Sequence, residues 1–168
     1  MKRIVILLMA FVMTVTLVGC STGKSNEEII KKGVELYLSA PNETVLKAYD
    51  EAIEEAKKTM GEEATLATAP VDFKIAYQDF NEYYTESGIQ YIAQKTDYVS
   101  YQYAIRESGK TFSEMDIAVQ KKDDMNYDVK VTVNYNGKER KYNGRVQIKE
   151  GKITYFRMYS FSASDFDE

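Results

Sequence analysis

The chain has no histidine and a single cysteine, Cys20. Without imidazole there is no Ser-His or Cys-His nucleophile system and no usual general base near neutral pH, and the commonest zinc ligand is missing. No glycine-rich phosphate loop of the required spacing occurs. Asp123-Asp124 and the tail Asp165-Phe166-Asp167-Glu168 are tight acidic clusters outside the helical stretches. Neither has the spacing of a calcium loop, and a solvated turn and a frayed terminus account for them. No catalytic set, metal or cofactor is expected. What remains is binding chemistry. In the pattern Ile153, Tyr155, Arg157, Tyr159, Phe161, one charged residue sits among aromatic ones. An arginine fork among phenols can anchor a carboxylate or another anion. The same stretch has Phe156 and Met158 on its other phase, so the competing reading puts Arg157 at a sheet margin with its stem laid along the surface. Tyr83, Tyr84, Tyr101 and Tyr103 carry a similar pair of readings. They line a pocket for a small apolar or aromatic ligand, or they pack the core and send a hydroxyl outward. Arg157, Tyr155, Tyr83, Tyr84 and Tyr101 are the candidate ligand-binding residues.

The element that must position them is a sheet over residues 111–161. In Tyr127-Asp128-Val129-Lys130-Val131-Thr132-Val133-Asn134-Tyr135 every odd position is aromatic or β-branched and every even one is polar. That period of two predicts a strand with one buried and one wet face. Asn136-Gly137 follows, the pair best suited to a two-residue hairpin turn in which both residues need φ > 0. A return strand runs through Tyr142, Val146 and Ile148. Glu150-Gly151 turns again, and residues 153–161 form a last strand. Met115, Ile117 and Val119 alternate in a first strand over residues 111–121. Asp116 and Asp128 fall on the polar phase, facing water.

Upstream, the pattern is helical. Ser25-Asn26-Glu27-Glu28 is a capping box, followed by Ile30, Val34, Tyr37 and Leu38 at helical spacing. Gly33 should weaken this helix by about 1 kcal/mol relative to alanine, and Ala40-Pro41 ends or kinks it. Asn42 can cap a second helix with Val45, Tyr49, Ala52, Ile53 and Ala56 on one face and Gly61 after its end. Residues 70–86 predict a third helix, with Phe73, Tyr77, Phe80 and Tyr84 spaced by four, three and four; a strand through Phe73, Ile75 and Tyr77 competes for its first half. Ser87-Gly88 breaks the run, and residues 89–94 form a short helix. Residues 96–106 fit either period; Thr96 as cap, Asp97 early, Arg106 late and Gly109 beyond favour helix.

The front of the chain is a different kind of segment. After Met1-Lys2-Arg3, residues 4–18 form an apolar run broken only by Thr14 and Thr16. It is short for a bilayer span, which needs about 20 residues, and fits the apolar part of a secretory leader. Leu17-Val18-Gly19-Cys20 resembles a bacterial lipobox. The resemblance implies a leader over residues 1–19, cleavage before Cys20, and a diacylglyceryl group on its sulfur, which places the protein on the outer face of the cell membrane. Two acyl chains anchor stably where one does not. Residues 20–26 are then the acylated cysteine and a tether, and residues 27–168 one domain. Residues 21–26 span at most about 21 Å, which keeps the folded body close to the membrane. Loss of Lys2 and Arg3 leaves 20 basic against 26 acidic residues, so the net charge moves from −4 to −6. That balance argues against nucleic acid as a partner.

Helices first, then antiparallel strands ending in a long strand after a Gly-Lys turn, resemble the nuclear-transport-factor-two-like superfamily. The stretches 127–131 and Gly144-Arg145-Val146-Gln147-Ile148-Lys149-Glu150-Gly151-Lys152-Ile153, with Phe80-Asn81-Glu82-Tyr83-Tyr84-Thr85, are similar to small Gram-positive lipoproteins with such domains. The resemblance implies an α+β fold in which N-terminal helices pack on a curved antiparallel sheet of about four strands to make a cone. It also implies one of three roles. The first is a module holding a small apolar or aromatic ligand in the cone. The second is an accessory protein, or a homodimer, using the sheet face. The third is a ketosteroid-isomerase-like enzyme, which needs a carboxylate in an apolar cone; no acid intrudes on the apolar phase of residues 127–135, and Asp79 and Asp97 are not singled out.

Overall fold

Five inward side chains set the layout of the sheet. β2 (Asn126–Tyr135) buries Tyr127, Val129, Val131, Val133 and Tyr135 and turns the residues between them outward. Asn136 and Gly137 both take positive φ, 54° and 75°, and deliver the chain to β3 (Lys138–Lys149). Glu150 and Gly151, at φ 53° and 73°, repeat the device before β4 (Lys152–Tyr159). With β1 (Phe112–Lys121) they form a four-stranded antiparallel sheet in the order β1-β2-β3-β4, which does not close. The computed structural model describes residues 24–166. The expected leader over residues 1–19, the acylated Cys20 and the first half of the tether, residues 21–23, lie outside the described residues.

The architecture is α+β, with five α-helices and this sheet among the described residues. α1 (Asn26–Leu38) starts where Ser25 Oγ accepts from the Glu28 N–H at 3.2 Å and stops before Ala40-Pro41, because a residue preceding proline disfavours helical geometry. α2 (Glu43–Met60) is capped by Asn42 Oδ1, which accepts from the Val45 N–H at 3.1 Å. α1 buries its apolar face against the sheet, and α2 packs on the later helices Phe73–Ala76 and Thr96–Ser108, with its Val45 and Tyr49 in the same core. α1 touches both outer strands, β1 and β4. Its Gly33 has a packing reason. A Cβ there would lie 2.4 Å from Ile153 Cδ1, so the helix gives up intrinsic propensity to approach β4.

Residues 70–86 are not one helix. They divide into α3 (Phe73–Ala76) and a 3-10 turn, Gln78–Glu82, because Tyr77 leaves helical geometry at φ −108°, ψ 25°. The four-three-four spacing still gathers Phe73, Tyr77, Phe80 and Tyr84, whose successive rings stand 6.2, 5.6 and 5.3 Å apart. Ser87-Gly88 does not break the chain either. It lies in the first turn of α4 (Glu86–Ala93), where Thr85 Oγ1 accepts from the Gly88 N–H at 3.2 Å. Residues 96–106 are helical, within α5 (Thr96–Ser108). The cap position belongs to Lys95, not to Thr96, and Gly109 closes the helix at φ 64°.

β4 corrects a larger expectation. Ile148 pairs with Ile153, but Gln147 pairs with Tyr155, so Thr154 is one residue too many. Such a bulge reverses the phase of everything beyond it. Ile153 and Phe156 are therefore both buried, while Tyr155, Arg157 and Tyr159 lie on the outer phase. Ile153, Tyr155, Arg157, Tyr159 and Phe161 do not share a face. The strand ends at Tyr159, Ser160 takes φ 57°, and Phe161 returns to the core against Tyr101 and Tyr142, at 4.9 and 5.2 Å.

Aromatic side chains fill the inside of the sheet. Tyr77, Phe80, Tyr84, Tyr98, Tyr101, Tyr135 and Phe166 are each under 2% exposed. Phe166, on the closing 3-10 turn Ala163–Phe166, packs on Tyr101, Phe112, Tyr135 and Phe161.

Candidate functional site

The candidate residues fall into two groups. Tyr84 and Tyr101 belong to the core. The Tyr84 hydroxyl donates to the Gly33 carbonyl at 2.9 Å and the Tyr101 hydroxyl to the Leu38 carbonyl at 2.6 Å. Burial pushes both phenols well above their ordinary range. Each hydroxyl ties a helix to the core and offers nothing to a ligand. Tyr83 is half-buried on the far side of the β4 start, where its carbonyl accepts from the Ile153 N–H and Lys24 Nζ stands 4.9 Å over its ring. Tyr103 is also placed structurally, donating to Asp50 at 2.6 Å.

Tyr155 and Arg157 come together with residues that the sequence pattern did not mark. The Tyr155 ring lies 4.6 Å from that of Tyr91 on α4. Lys95 Nζ sits 4.6 Å over the Tyr91 ring, and the Arg157 guanidinium 5.8 Å from that of Tyr159. Next to this group a cleft of about 230 Å³ runs along the edge of β4, lined by Lys95, Asp97, Arg157 and Tyr159 over a floor of Tyr37, Phe156, Met158 and Phe161. Residues of both phases of β4 line it, as an edge site requires. Tyr37 supports the floor, 4.9 Å from Phe156 and 4.7 Å from Tyr98. A signal for Tyr91 and Lys95 was in the sequence: they are four apart, the spacing that puts a cation over a ring on one helical face.

The charges here are unbalanced. Most lysines and arginines of the described residues are paired with a carboxylate; Lys95 and Arg157 have no such partner. Moreover, Arg157 stands directly across the β3–β4 ladder from Arg145, a like-charge pairing that weakens a sheet. Arg145 turns to Asp128, 3.9 Å away, which Lys122 also approaches at 3.0 Å. Arg157 is left with phenols. Burial pushes the Tyr91 phenol up, but the Lys95 ammonium, the Tyr155 hydroxyl and the charge of Arg157 prevail and hold it below its ordinary range. Tyr155 is pushed the other way, by Tyr91 first and by partial burial second. The cleft thus sets two cations that have no carboxylate partner among the described residues beside polarised phenols and one acid, Asp97.

The hollow on the outer sheet face, lined by Lys130, Arg145 and Asp128, also has one cation in excess, but there Arg145 turns to the acid. The one between α3 and α4, about 640 Å³, is walled by Val71, Phe73, Tyr77 and Ile89, and the charges at its rim, Lys74 and Glu86, face one another at 3.9 Å. Among the described residues there is no cluster of acidic residues able to hold a metal ion, and no helix is long and apolar enough to cross a membrane. Compared with known proteins, the chain matches no family model, no curated protein and no solved structure.

Proposed function

We propose that this chain is a lipoprotein anchored through Cys20 on the outer face of the cell membrane, and that it serves as an accessory module that binds at its surface and does not catalyse. Its four-stranded meander, with helices on one face, is read as a nuclear-transport-factor-two-like cone that is filled. One observation carries this reading: seven large aromatic side chains, each under 2% exposed, occupy the space in which an internal ligand would sit. A small apolar or aromatic guest inside the cone would have to displace them, and removing a well-packed aromatic side chain costs about 3–5 kcal/mol. The ketosteroid-isomerase-like alternative loses its apolar pocket for the same reason. The outer sheet face, with Asp128, Lys130, Thr132 and Asn134, is polar and mixed in charge, which favours a local contact over a broad apolar one.

Native mass spectrometry of the full chain, extracted in detergent from a Gram-positive host, tests each part. The expected spectrum has the mass of a chain beginning at an acylated Cys20 and carries no retained small molecule. A leader still attached to an unmodified sulfur would overturn the anchor. An apolar molecule that survives gentle desolvation would overturn the filled cone. The same spectrum reports whether the chain dimerises through its sheet face.

A further inference from the structure

The cleft at the edge of β4 has properties that a purely structural surface would not keep. Arg157 has no ion-pair partner among the described residues and faces Arg145 across the ladder. Lys95, half-buried at the start of α5, has no ion-pair partner among the described residues either. Asp97 lines the same cleft and supplies its single negative charge. The local balance of Lys95, Arg157 and Asp97 is one positive charge, which one monoanion neutralises. A dianion would leave an excess negative charge beside Asp97. At about 230 Å³ the cleft falls below the roughly 300–1,000 Å³ of small-molecule pockets. It has room for a few atoms and a short stem, and its floor of Phe156, Met158 and Phe161 is apolar.

Building on the reading of this chain as a surface-binding module, we propose that the cleft bounded by Arg157, Lys95 and Asp97 holds a carboxylate borne on a short apolar stem. Arg157 supplies the planar fork that a carboxylate matches with two parallel hydrogen bonds. Lys95 adds a point charge from the opposite wall. Phe156, Met158 and Phe161 receive the stem, and the phenols of Tyr91 and Tyr155 hold the two cations in place without neutralising them. Two sources share this chemistry, a free small acid and the carboxyl end of a peptide.

The test follows the Arg157 side-chain resonance of the full chain in detergent while four probes are added: isovalerate, a tripeptide ending in leucine with a free carboxylate, the same peptide amidated, and inorganic phosphate. Both free carboxylates should shift the resonance in a saturable way. The amidated peptide should not, and phosphate should bind more weakly. Tighter binding of the peptide than of isovalerate identifies a peptide end as the source; equal binding identifies a free acid. Arg157→Lys keeps the charge but loses the fork, and should weaken binding at least tenfold when read from the ligand's own resonances. Lys95→Met should weaken it severalfold. Asp97→Asn should strengthen it about threefold, a change that a merely structural role would not produce. The assignment is overturned if the amide binds as well as the acid, if phosphate binds more tightly than either carboxylate, or if Arg157→Lys and Asp97→Asn leave affinity unchanged. It is overturned too if no carboxylate binds. Because the mass spectrum reads acylation and the filled interior separately, that last result would remove this site and leave the surface-binding reading in place.

Discussion

Asp50 illustrates how this protein uses a charge for structure. Its carboxylate accepts from Arg106 Nη1 at 2.8 Å and from the Tyr103 hydroxyl at 2.6 Å, joining α2 to α5, and the Arg106 guanidinium lies 4.6 Å over the Tyr103 ring. The Arg106 hydrogen bond, the largest effect, together with the Tyr103 hydroxyl and the Arg106 charge, holds the Asp50 carboxyl below its ordinary range against the opposing effect of burial. A depressed folded pKa stabilises the fold above the unfolded value of about 3.9 and loses that contribution as pH falls through the folded value. The pair is half-exposed, so its contribution is of the order of 1 kcal/mol or less. Asp50→Asn should therefore lower stability by about 0.5–1 kcal/mol at pH 7, and the difference from the unaltered chain should shrink at pH 3; urea unfolding at the two values checks it. Arg157 has no comparable partner. Its oddity was legible from the sequence, as one charge among aromatic residues, but its meeting with Lys95 and Asp97 was not, because only the fold brings the α4–α5 junction to the edge of β4.

At the level of elements, local chemistry was enough wherever a turn or cap carries its own information. Asn136-Gly137, Gly151, the Ser25 and Asn42 caps and Gly109 all occupy places that suit their residue types. Two elements were beyond such a reading. The spacing of Phe73, Tyr77, Phe80 and Tyr84 is met equally by one helix or by two short turns, and the choice is made by packing of Tyr77 and Phe80 against Tyr98, at 5.8 and 5.9 Å. The bulge at Thr154 is a property of two strands, and no period within one strand reveals an unpaired residue. Its importance is testable. Deleting Thr154 should leave a regular strand with the same partners, Ile153 and Phe156 inward and Arg157 still opposite Arg145 on the outer face, so the chain should keep its cooperative urea transition. Thr154→Ala keeps the count of residues and removes one 3.3 Å bond to the Gln147 carbonyl, so it should cost less than about 1 kcal/mol.

For the whole molecule, the absence of histidine and the wealth of buried phenols set the response to pH. Nothing in the folded interior titrates as imidazole would, so stability should be nearly flat from about pH 6 to 9. Above that the phenols decide. Burial holds Tyr84, Tyr98 and Tyr101 in their neutral form well above the ordinary range, and Tyr142 is pushed up to about 12. A raised folded pKa gives stability that is complete below the unfolded value, about 10, and is lost as pH climbs from there towards the folded one. Three deeply buried phenols together should remove about 4 kcal/mol per pH unit above 10. Urea midpoints followed by circular dichroism from pH 7 to 11.5 should trace a plateau and then a sharp fall; a gradual decline beginning near pH 8 would count against it.

α1 gives the proposed anchor a mechanical meaning. This helix touches both edge strands and is fastened by Asn26 to Tyr127 at 3.2 Å and by Gly33 to Tyr84. Under the anchoring proposed above, drag on the body would be loaded onto a strut wedged between the two rims of the sheet, ahead of any hairpin, and the force needed to pry that strut loose would set the strength of the mooring.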